Sequence, residues 1–169
     1  MAGVPFVYCF QSFYLLKNPD VNHSWPVTTL LLIILIAAYY IWDTSNSQKN
    51  SFRMKLDGTY VKRLAFPQLP YRTIDNPKHL KTECGSCLLV DGWWKYARKI
   101  HYTADIVMAL IWALSCGFTG FLPFFYPSFF TGFLIHRYLR DFDRCKRKYG
   151  KDWEEYCRTV KYSFIPGLI

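Results

Sequence analysis

Hydrophobic and charged positions are sharply segregated along this chain. Residues 27–41, from Val27 to Ile41, carry no charge, and Trp25 and Trp42 flank them. With those flanks the run has the length of a helix that crosses hydrocarbon, with an aromatic at each interface. Residues 106–135 are also uncharged, but thirty residues exceed one ordinary span, and Gly117, Gly120 and Pro123 fall in the middle. The pattern predicts two helices, about 102–119 and about 122–138, folded as a tight hairpin. Residues 2–16 form a further apolar segment, too short and too poor in leading positive charge for a signal peptide. Between these stretches lie a polar segment, 43–101, and a polar tail, 139–169. Pro67, Pro70, Pro77 and Gly58 punctuate 56–79 as loop. The expected fold class is an all-α polytopic integral membrane protein with four membrane segments (2–16, 25–42, 102–119 and 122–138).

Charge sets the expected orientation. Segment 43–101 holds eleven Lys and Arg and the tail 137–169 holds nine, whereas 1–26 holds only Lys17. Basic segments stay on the cytosolic side, so both face the cytosol, and the 102–138 hairpin supplies the two crossings between them. A net charge of +9 on a chain that is 51% hydrophobic and 20% aromatic fits basic anchors at a membrane surface. Six cysteines include one C-x-x-C, Cys84-Gly85-Ser86-Cys87. Without a second pair or a spaced His pair this is not a zinc signature, and no metal is expected.

Candidate chemistry gathers at the membrane exits. Lys49 and Arg53 are four apart, so on a helix they share a face and can pinch an anion; the plainer reading is a pair of interfacial anchors. Leu89-Val90-Asp91-Gly92-Trp93-Trp94-Lys95-Tyr96-Ala97-Arg98-Lys99-Ile100-His101-Tyr102 offers ring faces for a planar ligand, with Lys95 or Arg98 for phosphate, or else an aromatic belt with its cations. Asp105 is an acid one turn inside an apolar helix, where carboxylates are functional candidates, although His101 at i, i+4 offers it an ion pair. Arg137, Arg140, Asp141, Arg144, Cys145 and Lys148 follow helical spacing, as a solvated face or as a phosphate and ribose site. No G-x-G-x-x-G or P-loop occurs, so a dinucleotide would be held by side chains at helix ends.

Lys49 with Arg53, Leu88 to Tyr102, and His136-Arg137-x-x-Arg140-Asp141 through Cys145-Lys-Arg-Lys-Tyr149-Gly150-Lys-Asp-Trp153, Tyr156 and Pro166 resemble the C-terminal part of the sterol reductase family. That family includes the C14, C7 and C24(28) reductases and the lamin B receptor, and the resemblance runs in order along nearly the whole chain. Ala2 to Ser12 and Lys99-Ile100-His101-Tyr102-Thr103-Ala104-Asp105 look most like its Δ24(24(1)) branch. His101 replaces the Asn that the C14 and C7 enzymes place before the matching Tyr.

The resemblance implies NADPH as cofactor and reduction of a sterol side-chain double bond late in ergosterol synthesis, in the endoplasmic reticulum membrane. It implies a cytosol-facing cofactor pocket in which Lys49, Arg53, Leu89, Trp94, His101, Tyr102, Asp141, Cys145, Lys146, Arg147, Lys148, Tyr149 and Tyr156 contact NADPH. Asp105, His101 and Tyr102 are the candidate acids. The implied partners are a sterol, membrane lipid and upstream helices of a longer protein, with no nucleic acid. The chain is then expected to be a C-terminal portion whose activity alone is in question. Two other classes share features of this pattern. A non-catalytic scaffold of the lamin B receptor kind keeps the fold without turnover. A prenylcysteine-type methyltransferase typically carries paired Glu after the membrane exit, where this chain reads Arg140-Asp141-Phe142-Asp143-Arg144-Cys145.

Overall fold

A computed structural model describes residues 9–62, 69–118 and 120–168. The predicted segment 2–16 lies partly outside these residues. Its described part forms α1, Phe10–Lys17. The following elements are α2 (Trp25–Leu56), β1 (His79–Lys81), β2 (Cys87–Leu89), a 3-10 turn (Gly92–Lys95), α3 (Ile100–Leu114), α4 (Leu122–Tyr149) and α5 (Lys151–Thr159).

Two of these helices outrun their apolar runs. The 32 residues of α2 continue past Trp42 to Leu56, and the 28 residues of α4 continue past the membrane run to Tyr149. By contrast, α3 stops at Leu114, short of the expected 119. The chain there turns through Gly117 (φ +97°) and Gly120 (φ +91°), a left-handed backbone that cannot continue a helix. Among the described residues, α2 alone is long and apolar enough to cross a membrane by length and composition; α3 is apolar but shorter.

The chain divides into two compact units. The first comprises Met1–Tyr39 and Asp105–Tyr138. Within it, Gln11 is buried and its Nε2 donates to Pro123 O at 3.2 Å, while Phe10 packs on Phe125 at 5.6 Å between ring centroids. A ring nitrogen of His23 lies 3.1 Å from Ser115 O beside the inter-helix turn. Leu30, Leu32, Ile33 and Ile36 of α2 are exposed, as suits a helix whose solvent is hydrocarbon.

The second unit comprises Tyr40–Ala104 and Leu139–Ile169. Its core is set by a polar stripe on α2. Thr44, Ser45, Gln48 and Ser51 recur at helical spacing and all are buried. Three of them hold the Trp-Trp turn: Trp93 Nε1 donates to Thr44 Oγ1 at 2.8 Å, Trp94 Nε1 to Ser45 O at 2.9 Å, and Trp93 N to Gln48 Oε1 at 3.0 Å, while Ser51 Oγ donates to Gln48 O at 3.1 Å. The Gln48 amide then donates to Tyr71 O at 2.8 Å, and Arg72 pairs with Asp43 at 3.1 Å. Every one of these polar groups finds a partner, which is the condition for burying it. Asp91 caps the turn by accepting from Gly92 N and Lys78 N, and those amides hold its carboxyl below the usual range. A short antiparallel hairpin pairs His79 with Leu89, Leu80 with Leu88 and Lys81 with Cys87.

Gly92 is the tight point of this arrangement. Its φ is +61°, and a Cβ would stand 2.4 Å from both Gln48 Oε1 and Ile74 Cδ1. Gln48 is itself buried and hydrogen-bonded at both ends, so it has nowhere to retreat. Gly92→Ala is expected to destabilise the folded chain by roughly 2–4 kcal/mol, the sum of a left-handed Cβ and an overpacked contact. Thermal unfolding in detergent measures it, and an unchanged transition would mean that the Trp-Trp turn yields freely.

Candidate functional site

Lys49 leaves α2 just beyond the buried stripe, and its Nζ sits 4.1 Å from the centroid of the Trp94 ring. Trp94 is 2% exposed and forms an apolar cluster with Phe52 of α2 and Leu89 of β2. His101, in the first turn of α3, places its ring 5.2 Å from Trp94 and 4.4 Å from Tyr102. Lys99 Nζ is 5.2 Å from the Tyr102 ring and 2.9 Å from Asp141 Oδ2 on α4. The rings of Trp94, His101 and Tyr102 thus run in sequence, with ammonium groups over the two outer ones.

Electrostatics binds the same residues together. Burial pulls the Lys49 ammonium down to about 7, and the charges of Lys99 and Arg53 add to that; Cys145 and Asp141 oppose it. Three cations therefore act on one another here, with Asp141 as the carboxylate among them. A further anion brought to this cluster would favour the charged form of Lys49. Cys145 is half-buried on α4, and burial raises its thiol.

A second aromatic layer lies beneath. Trp153 and Tyr156 of α5 and Val160, which caps its C-terminus, are buried, with Phe142, Cys145, Tyr149 and Leu88 packed on them. They recur at i, i+3 and i+7, which is why this short helix buries one side. Tyr149 stacks on Trp153 at 6.3 Å, and Trp153 lies 5.2 Å from Tyr156. Burial pushes the Tyr156 hydroxyl well up, so it stays a neutral donor.

Lys49, Leu89, Trp94, His101, Tyr102, Asp141, Cys145, Tyr149 and Tyr156 all belong to the second unit and meet through the contacts above. Arg53 is exposed one turn beyond Lys49, and Lys146, Arg147 and Lys148 are exposed on the last turn of α4. Asp105 opens the second stretch of the first unit, one turn beyond His101 along α3.

Lys99 Nζ donates to Asp141 Oδ2 at 2.9 Å. Arg98 is not turned to a phosphate, because its guanidinium donates to Val160 O, Lys161 O and Ser163 Oγ. Sequence reasoning missed Lys99 as a central charge, although it stands two residues before His101. It also missed the polar stripe Thr44, Ser45 and Gln48, whose helical spacing was legible. Cys84, at the hairpin tip, has its thiol pulled down to about 7 by contacts with Ser86 and Thr82. No cluster of three or more His, Cys, Asp or Glu among the described residues is placed to hold a metal.

What this arrangement can do is hold a flat, polyanionic molecule. Rings of Trp94, His101 and Tyr102 offer faces, Lys49, Arg53 and Lys99 offer positive charge, and Asp141 accepts from a hydroxyl or amide.

Known proteins match along the whole chain. A profile of the ergosterol biosynthesis ERG4/ERG24 family matches residues 1–169. The chain is 44% identical over 168 residues to the Delta(24(24(1)))-sterol reductase erg4A of Aspergillus fumigatus, covering 98% of this chain and 36% of that protein. It is 46% identical over 172 residues to the Delta(24(24(1)))-sterol reductase of Gibberella zeae, covering 100% of this chain and 28% of the relative. It is also 44% identical over 165 residues to the Delta(14)-sterol reductase LBR of Gallus gallus, covering 98% of this chain and 24% of the relative. The chain therefore spans between 24% and 36% of the length of these three proteins.

Proposed function

The chain belongs to the ergosterol biosynthesis ERG4/ERG24 family, and from that premise we propose that it is the cofactor-holding part of an NADPH-dependent, multi-pass sterol reductase of the endoplasmic reticulum membrane. The proposed reaction is reduction of the C24(28) side-chain double bond, in keeping with its likeness to two Delta(24(24(1)))-sterol reductases. The observation that carries this reading is the cation cluster of Lys49, Arg53 and Lys99 beside the Trp94, His101 and Tyr102 rings.

NADPH, when bound, supplies hydride. Lys49, Arg53 and Lys99 neutralise its phosphates, and the aromatic rings orient its planar parts. Asp141 accepts from a ribose hydroxyl or an amide once Lys99 turns to an incoming anion. An isolated alkene has no carbonyl to polarise, so the protein must deliver a proton first. Protonation of the terminal methylene carbon would place positive charge on the tertiary carbon, the centre to which bound NADPH would supply hydride. Tyr102 and His101 are the candidate donors beside the ring stack, and Asp105 is the candidate acid inside the apolar part of α3. The donor's task is geometric, a proton held within reach of the alkene carbon in a site closed to water.

Sterol profiling tests the reading. A fungal strain lacking its own Delta(24(24(1)))-sterol reductase would carry this chain joined to the upstream helices of a relative. Ergosterol is expected to return, and Asp105→Asn is expected to abolish it while NADPH affinity persists. Persistence of the C24(28)-unsaturated sterol with the parent sequence would remove the substrate assignment. Restored ergosterol with the Asn variant would remove Asp105 from the donors and leave Tyr102 and His101.

A further inference from the structure

The C-terminal tail lies along the chain that leads into α3, held by hydrogen bonds with no part in the cofactor chemistry above. Arg98 N donates to Tyr162 O at 2.9 Å and Lys99 N to Ser163 O at 2.8 Å. The Arg98 side chain adds three bonds: Nη1 to Val160 O at 2.5 Å and to Lys161 O at 3.1 Å, and Nη2 to Ser163 Oγ at 2.6 Å. Thr103 Oγ1 donates to Phe164 O at 2.8 Å, and the Phe164 ring lies 6.4 Å from that of Tyr102. The tail is anchored where it starts, since Val160 is 1% exposed in the Trp153 and Tyr156 cluster. Beyond Phe164, Ile165 and Leu168 are exposed.

These bonds bracket the three residues on which the ring stack and the cation cluster converge. Amides at the start of a helix have no intrahelical acceptor. A tail carbonyl that takes one fixes where the helix begins, and so the direction in which its first side chains leave. Lys99 is held twice, by Ser163 O at its amide and by Asp141 at its ammonium. His101 and Tyr102 follow within one turn, and Thr103 is tied back to the same tail. The Arg98 fork reaches backbone carbonyls and a hydroxyl at once, which a single ammonium on a flexible stem cannot reproduce.

We propose that Val160–Phe164 is a positioning strap, fastened by Arg98 and Ser163, that sets Lys99, His101 and Tyr102 in the candidate dinucleotide site. This rests on the cofactor reading above. Arg98 and Ser163 are positioning residues: they act through the backbone at Lys99 and the first turn of α3, not by touching the dinucleotide.

The test uses the full chain in detergent micelles, as the parent sequence and as Arg98→Lys, Ser163→Ala and Ser163→Thr. NADPH affinity is read by nicotinamide fluorescence, and amide hydrogen exchange is followed over 98–103, with the 79–89 hairpin as internal reference. Arg98→Lys and Ser163→Ala are expected to weaken NADPH binding roughly tenfold, the effect of losing one or two charge-assisted bonds. They should speed exchange over 98–103 and leave the hairpin unchanged. Ser163→Thr keeps the hydroxyl and should restore both readings. Exchange over 98–103 that stays at the parent rate overturns the strap. Faster exchange with unchanged NADPH affinity overturns its positioning role. A parent chain with no affinity for NADPH overturns the cofactor reading itself, and this assignment with it.

Discussion

Truncation of Trp94 to alanine is expected to destabilise the folded chain by about 3–5 kcal/mol, the range for removing a large buried aromatic and leaving a cavity. Trp94 is 2% exposed, donates to Ser45 O, and supplies the wall between Phe52 and Leu89. Those contacts tie α2 to β2 and to the Trp-Trp turn, so no single neighbour can collapse into the space. The conservative change separates packing from ligand chemistry. Trp94→Phe keeps most of the volume and loses the indole donor, which is expected to cost about 1 kcal/mol. The Lys49 ammonium lies over this ring, and Phe is a weaker cation partner than Trp. NADPH affinity of the folded Phe variant should therefore fall by roughly fivefold. Chemical unfolding and ligand titration on the two variants check the pair. A Trp94→Ala chain as stable as the parent would show that the described core does not hold this unit together.

The second large effect concerns pH. The Lys49 ammonium is pulled down to about 7, first by burial and then by Lys99 and Arg53. At pH 6 it carries its proton and the site presents its full positive charge. At pH 8 it is neutral, and an anionic ligand can use it only by drawing a proton from solvent. Binding of NADPH is therefore expected to weaken as pH rises above 7, approaching a tenfold loss per pH unit for one proton taken up. Lys49→Arg keeps the charge at every pH and should flatten the profile while preserving affinity. Lys49→Met should flatten it and weaken binding at pH 6. A parent profile flat from pH 6 to 9 would mean that Lys49 does not meet the anion.

Stability follows the same linkage. The ordinary lysine value of 10.5 stands above the folded value, so between about 7 and 10.5 the unfolded chain binds more protons. On this account the Lys49 contribution makes the fold more stable as pH rises through that window, and is constant below it. Ligand binding and folding thus respond to pH in opposite directions, a pattern that one buried lysine produces without any other titration.

Much of the candidate site was legible because its residue types are unusual for their surroundings. A run of cations, tyrosines and tryptophans at the end of an apolar stretch is visible in composition alone, and Lys49 with Arg53 is visible in spacing. The partners were not legible. Asp141 accepts a hydrogen bond from Lys99, forty-two residues earlier, which spacing along its own helix cannot show. Arg98 looked like a phosphate ligand because a cation between aromatics usually reads so, but a stretch of C-terminal backbone takes its fork. Periodicity reports which side of an element is buried, not what it is buried against.

By itself the sequence determined the segregation of apolar from charged stretches, the helical character of the apolar ones, and membership in the sterol reductase family. Those properties depend on local composition, on one-dimensional spacing and on residue order. Only the tertiary structure decided how far α2 runs on past its apolar segment, since that extension is polar and gains its stability from tertiary contacts. The Thr44, Ser45 and Gln48 stripe of α2 is buried only because the Trp-Trp turn supplies its hydrogen-bond partners. Lys49 owes its weakly held proton first to burial and then to the charges of Lys99 and Arg53, against the opposing pull of Cys145 and Asp141. A pKa and a buried polar network are sums over neighbours in space, and most of those neighbours are forty residues or more away in the chain.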